Sequence, residues 1–74
     1  MQTQFMNRDQ LAAEALRKLK AAPTVSVVTA GQALGVGRHA AYDMARRGDV
    51  QVIKVGRHWR VVSAPLLRRL GQID

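Results

Sequence analysis

The sequence predicts a small α+β domain: two short helices joined by a tight turn at its centre, a helix before them, and a two-stranded hairpin and a last helix after them. Three observations predict it. Apolar or small residues at Val27, Ala30, Gly31 and Leu34 repeat with the spacing of one buried helix face. The run VQVIKVGRHWRVV over residues 50–62 is β-rich and is interrupted by Gly56-Arg57, a two-residue loop with glycine first, as a type II′ turn needs. The 74 residues suffice for one domain with a modest core, whose stability should be on the order of 3–5 kcal/mol.

In chain order, Phe5 and Met6 stand where a hydrophobic staple packs onto the first helix, and Asn7 with Gln10 forms a capping-box-like start. The helix over residues 8–20 places Leu11, Ala12, Ala15, Leu16 and Leu19 on one side. Its acids Asp9 and Glu14 come early and its cations Arg17, Lys18 and Lys20 late, as the helix dipole favours. Ala21-Ala22-Pro23 ends it. Its apolar side is expected to pack within the chain, since a domain this small needs that area.

The central pair occupies residues 26–47. Ser26 is the N-cap of its first helix, with Thr29 as capping partner, and Gly35 supplies the positive φ of a helix exit. Gly37 begins the second helix, which turns Ala40, Ala41, Met44 and Ala45 inward; small residues there let the two helices approach closely. Gly48 closes that helix. After the hairpin, Ser63 caps the helix over residues 64–70, Pro65 sits in its first turn, Leu66, Leu67 and Leu70 bury, and Gly71 stops it.

The net charge of +7 is unevenly placed: residues 1–37 carry four basic and two acidic side chains, residues 38–74 eight basic and three acidic. Such a field attracts polyanions, nucleic acid first. Without cysteine there is neither a disulfide nor a Cys-based zinc site, and His39 and His58 without a carboxylate cluster make a poor metal set. No metal and no cofactor is therefore expected. The N-terminus has no signal pattern, and the uncharged residues 21–37 contain Pro23 and three glycines, a turn-rich segment rather than a membrane span. A cytoplasmic protein without membrane association is expected.

The outward face of the second central helix holds Arg38, His39, Tyr42, Asp43, Arg46 and Arg47, a face shaped for a DNA major groove. Lys54, Arg57, His58 and Arg60 are expected to cluster at the hairpin tip around Gly56, as a projecting wing that contacts phosphates or enters a minor groove through Arg57. Trp59 is expected to anchor the hairpin on the core. An enzyme is not expected. His39 and Asp43 lie four residues apart with no nucleophile or pocket, and Gly35-x-Gly37 follows a helix rather than a strand and lacks a third glycine. One Trp, one Tyr and one Phe are too few for an RNA-stacking platform.

With these residues in place, the chain resembles the excisionase-type branch of the MerR-like winged helix-turn-helix DNA-binding domains. The likeness runs through Leu34-Gly35-Val36, Arg38, Tyr42, Arg47-Gly48, Val55-Gly56-Arg57-His58-Trp59-Arg60-Val61 and the leucine-rich last helix, about residues 25–70. It implies that the second helix lies in the major groove, with Arg38, His39, Tyr42 and Arg46 as contacts. It also implies that Arg57 and its neighbours contact the adjacent minor groove or backbone. Gly37 stands where the family usually has Ser, and His39-Ala40-Ala41 replaces more polar or β-branched residues. MerR regulators proper continue into a dimerisation helix and an effector domain, which these 74 residues do not hold. The resemblance therefore implies a lone DNA-binding module like the phage excisionases, or recombination directionality factors. Such a module binds direct repeats at attachment sites, assembles cooperatively head to tail, bends DNA and favours the excisive complex of a phage integrase. A small transcription regulator of the same fold needs the same surface and is the alternative.

Overall fold

The computed structural model describes residues 7–72. They form α1 (Arg8–Ala21), β1 (Thr24–Ser26), α2 (Val27–Leu34), α3 (Arg38–Arg47), β2 (Val52–Val55), β3 (His58–Val62) and α4 (Ser63–Arg69). The three strands make one antiparallel sheet in the order β1-β3-β2. The α+β class and the four helices agree with the sequence reading; Phe5 and Met6 lie outside the described residues.

The core forms where the sheet meets the helices. Val61, with no exposed surface, stands between Val25 of β1 and Val52 of β2. Leu19, Val27, Ala30, Ala41, Ala45, Val50, Leu66 and Leu67 close around the same cluster. α1 packs on α2 and α4 within the chain, burying Ala15 and Leu19 and half-burying Leu11, Ala12 and Leu16. Its start is a full capping box: the Gln10 N–H donates to the Asn7 Oδ1 and the Asn7 N–H to the Gln10 Oε1, both at 2.8 Å.

The turn between α2 and α3 is built as its residues dictate. Ser26 caps α2 by accepting from the Thr29 N–H at 3.0 Å. Gly35 takes φ 76°, which lets its N–H reach the Gln32 carbonyl and the Val36 N–H reach the Gly31 carbonyl. That is a Schellman closure, and a side chain at φ > 0 would strain it. The helices then cross with almost no side chain between them: a Cβ placed on Gly31 would lie 2.6 Å from the Cβ of Ala41.

Three expectations need correction. The hairpin is not an independent two-stranded unit, because Thr24–Ser26 adds a third strand against β3. Ser26 is both the last residue of that strand and the cap of α2, so its local sequence announces only the cap. Ala40 is exposed rather than inward: the buried arc of α3 centres on Ala41 and Ala45, and Ala40 lies about 100° away from Ala41. Ser63 is the first residue of α4 and not its cap. β3 runs into the helix without a loop, so Val62 holds the cap position, and the buried Ser63 donates its backbone N–H to the Pro23 carbonyl at 2.9 Å.

No helix among the described residues is long and apolar enough to cross a membrane.

Gly31→Ala tests the crossing. Alanine gains up to about 1 kcal/mol over glycine in a helix interior, whereas forcing a methyl into this contact costs about 1–3 kcal/mol. The backbone-backed Ala41 cannot swing aside, so the net effect is destabilising, read as a lower urea midpoint at unchanged slope.

Candidate functional site

α3 is a ten-residue helix with a narrow buried edge and a broad exposed face. At about 100° per residue, His39, Asp43 and Arg46 run down the middle of the exposed face, Arg38 and Tyr42 flank one side, and Arg47 the other. The flanking side with Tyr42 turns toward the hairpin. Tyr42 and Arg46 line a groove of about 630 Å³ together with Arg57, His58, Trp59 and Arg60.

This groove follows from strand lengths. β1 pairs only with Arg60, Val61 and Val62, so β3 extends past it and His58 and Trp59 have no strand on that side. α2 starts at Val27, directly where β1 ends, and α3 closes the opposite wall. Gly56 is the only residue of the hairpin turn with positive φ, at 62°, which is the type II′ pattern; it sets Arg57 at the outer end of the groove. Among the described residues no carboxylate lines the groove.

Apart from Lys54 and Gly56 of the hairpin, which do not line the groove, the predicted site residues divide into three groups. Tyr42, Arg46, Arg57, His58 and Arg60 come together in the groove. Arg38 and His39 are exposed at the start of α3, with Asp43 one turn further on. Arg47 stands apart: its Nε and Nη2 donate to the Asp49 Oδ2 at 3.1 and 3.0 Å, beyond the C-terminal end of α3. Asp43 pairs with Arg46, so the carboxylate faces an arginine and not His39. Both ion pairs are exposed. Such pairs contribute about 0–1 kcal/mol, so little opposes a stronger anion taking either arginine. Among the described residues, Arg38 and Arg57 take part in no ion pair.

The expected cluster at the hairpin tip is corrected by the register. Lys54 stands opposite Trp59, and Arg60 opposite Ile53, which puts Lys54 and Arg60 on opposite faces of the sheet. Only Arg57 and His58 are at the tip. Arg60 reaches back over β1 instead, its Nε donating to the Thr24 Oγ1 at 3.3 Å and its Nη2 to the Thr24 carbonyl at 3.2 Å. It therefore ties the third strand to the hairpin, a role that sequence reasoning misses because Thr24 is 36 residues away. Trp59 is half-buried and packs on the core, as expected of an anchor, while also lining the groove.

Among the described residues no three His, Asp or Glu side chains gather as metal ligands. Comparison of the chain with known protein families, curated proteins and solved structures finds no significant match.

The two hairpin arginines should separate in a stability measurement. Arg60→Ala loses two hydrogen bonds from a charged, half-buried donor and should cost about 1–3 kcal/mol in urea unfolding. Arg57→Ala, exposed at the turn, should leave the midpoint unchanged.

Proposed function

We propose that this chain is a winged helix-turn-helix module that binds double-stranded DNA, with α3 as the recognition helix and the β2–β3 hairpin as the wing. The observation that carries this reading is the groove between them. Cations from helix and hairpin, Arg46, Arg57 and Arg60, with His58 beside them, line it, and among the described residues no carboxylate does, Asp43 holding Arg46 from outside the lining. Converging cations repel one another, and a polyphosphate backbone removes that repulsion. Arg38 and Arg46 are the residues to read guanine or grip phosphate from α3, and Arg57 the one to enter the neighbouring groove. Arg60 contributes chiefly by holding the wing. The role is binding rather than catalysis, in the cytoplasm of a bacterial host.

Within this class we read the protein as an excisionase-type architectural factor. It would bind direct repeats at an attachment site, assemble cooperatively head to tail, and bend DNA for a phage-type integrase. The resemblance of the LGV turn and the VGRHWRV hairpin at this spacing supports that choice, and so does the chemistry of α3. Its exposed face carries few side chains able to specify a base, so repetition and DNA deformability must supply much of the selectivity.

A gel-shift titration on an attachment-site fragment with circularly permuted probes tests both levels. Stepwise cooperative complexes with a strong bend are expected. A single unbent complex at a promoter-like palindrome would replace the excisionase reading with a transcription regulator, and binding insensitive to salt would remove the DNA reading. In the same assay Arg46→Ala and Arg57→Ala should each weaken specific binding by about 1–3 kcal/mol.

A further inference from the structure

We infer that the N-terminal helix is part of the DNA-binding surface, with Arg8 and Arg38 together gripping the phosphate backbone at the end of α3 opposite the wing. This rests on the DNA reading above and adds to it an element, α1, that the helix pair and hairpin do not include.

Three observations converge on it. Arg8 of α1 and Arg38 of α3 line one groove, about 310 Å³, beside the α2–α3 turn, with Gln32 as the polar side chain between them and no carboxylate in the lining. Two guanidinium groups from different elements thus line one surface, with no carboxylate beside them among the described residues. Among the described residues neither enters an ion pair.

Both arginines also occupy the first position of a helix, α1 at Arg8 and α3 at Arg38. The dipole makes that end positive, so a cation there opposes helix stability rather than adding to it. The other cations of α1, Arg17, Lys18 and Lys20, are placed late, where the dipole favours them. Arg8 stands against that pattern. Asp9 sits beside it in sequence but does not line the groove.

The spacing fits a duplex. Arg38 and Arg46 are eight residues apart, a rise of about 12 Å along α3, and the two turns leave them within about 80° of each other. The major groove, about 12 Å wide, is filled by a helix of about 10–12 Å diameter, so residues two turns apart meet the backbone at separate points along it. With Arg46, Arg57 and the wing on one stretch of backbone, Arg38 and Arg8 are placed to meet another. Gly37 leaves this approach open: a Cβ built there meets nothing within 4 Å.

The test is the salt dependence of binding to a mixed-sequence duplex, measured by fluorescence anisotropy for the full chain and for Arg8→Gln, Arg8→Lys and Arg17→Gln. Circular dichroism confirms that each is folded. Arg17 is on the same helix but pairs with Glu14 and lines a different surface, so it controls for charge alone. Arg8→Gln should weaken binding several-fold at low salt and flatten the slope of log K against log salt by about one. Arg8→Lys should restore the slope, and Arg17→Gln should match the parent on both measures. Arg8→Gln with the parental slope and affinity overturns this inference while leaving the DNA reading intact, and so does an equal loss for Arg17→Gln. Absence of salt-sensitive binding by the parent chain overturns the DNA reading and this inference with it.

Discussion

The contact between Gly31 and Ala41 sets the geometry on which the rest of the molecule depends. With no Cβ on one side and a single methyl on the other, α2 and α3 approach too closely to admit even one more methyl at Gly31. The close approach buries Ala41 and Ala45 and leaves the other faces of α3 outside the core. It also brings Tyr42 and Arg46 against the groove wall formed by the free edge of β3. A larger residue at either position would push α3 outward and widen that groove. The small residues of this helix pair are thus a condition for the shape of the surface as well as for the core.

The surface charges are arranged differently from the charges that support the fold. Several cations support the fold through a partner: Arg60 on Thr24, Arg47 on Asp49, Arg17 on Glu14. Among the described residues Arg8, Arg38 and Arg57 enter no ion pair and line the two grooves, Arg8 and Arg38 beside the α2–α3 turn and Arg57 at the hairpin, whereas Lys18, Lys20, Lys54 and Arg68, also outside any ion pair, line neither. On the proposed reading the groove-lining arginines are the ones that meet a phosphate backbone.

Legibility in the sequence follows the range of the interactions. The α1 capping box, the Ser26 cap, the Gly35 and Gly48 exits and the Gly56 turn are all settled within a few residues. Reading Asn7, Ser26 and the glycines in order recovers the helix boundaries to within a residue. The apolar stripes of α1 and α2 are legible for the same reason. β1 is not, because Thr24–Ser26 becomes a strand only when β3 supplies its ladder partners. Arg60 is misplaced at the tip for that reason too, since its acceptor is on the unrecognised strand. Ser63 looks like a cap by residue type. It is instead buried as the chain passes from sheet to helix with no loop between, and its hydroxyl finds no partner among the described residues. In the candidate site, the cations of α3 and Arg57 are legible from helix period and turn position. The segregation of Lys54 from Arg60 depends on strand register, and Arg8 on how α1 packs against α2; neither is a local property.

The additional strand has a mechanical consequence for the hairpin. A free two-stranded hairpin is marginal in water, and its tip would wander relative to α3. Here β3 is paired on both sides at Arg60 and Val61, Arg60 closes over Thr24, and the half-buried Trp59 packs against the core. Only the last residues before the turn, with Arg57 and His58, extend beyond this support. The ordering entropy of the hairpin is thus met on folding rather than on binding, which leaves a ligand in the groove only side-chain rotamers to immobilise. On the proposed reading, a wing whose base is held this way keeps its position relative to α3, with only the tip beyond the support. Such a base suits recognition of DNA by the position of its phosphates and the width of its grooves, even where few bases are touched.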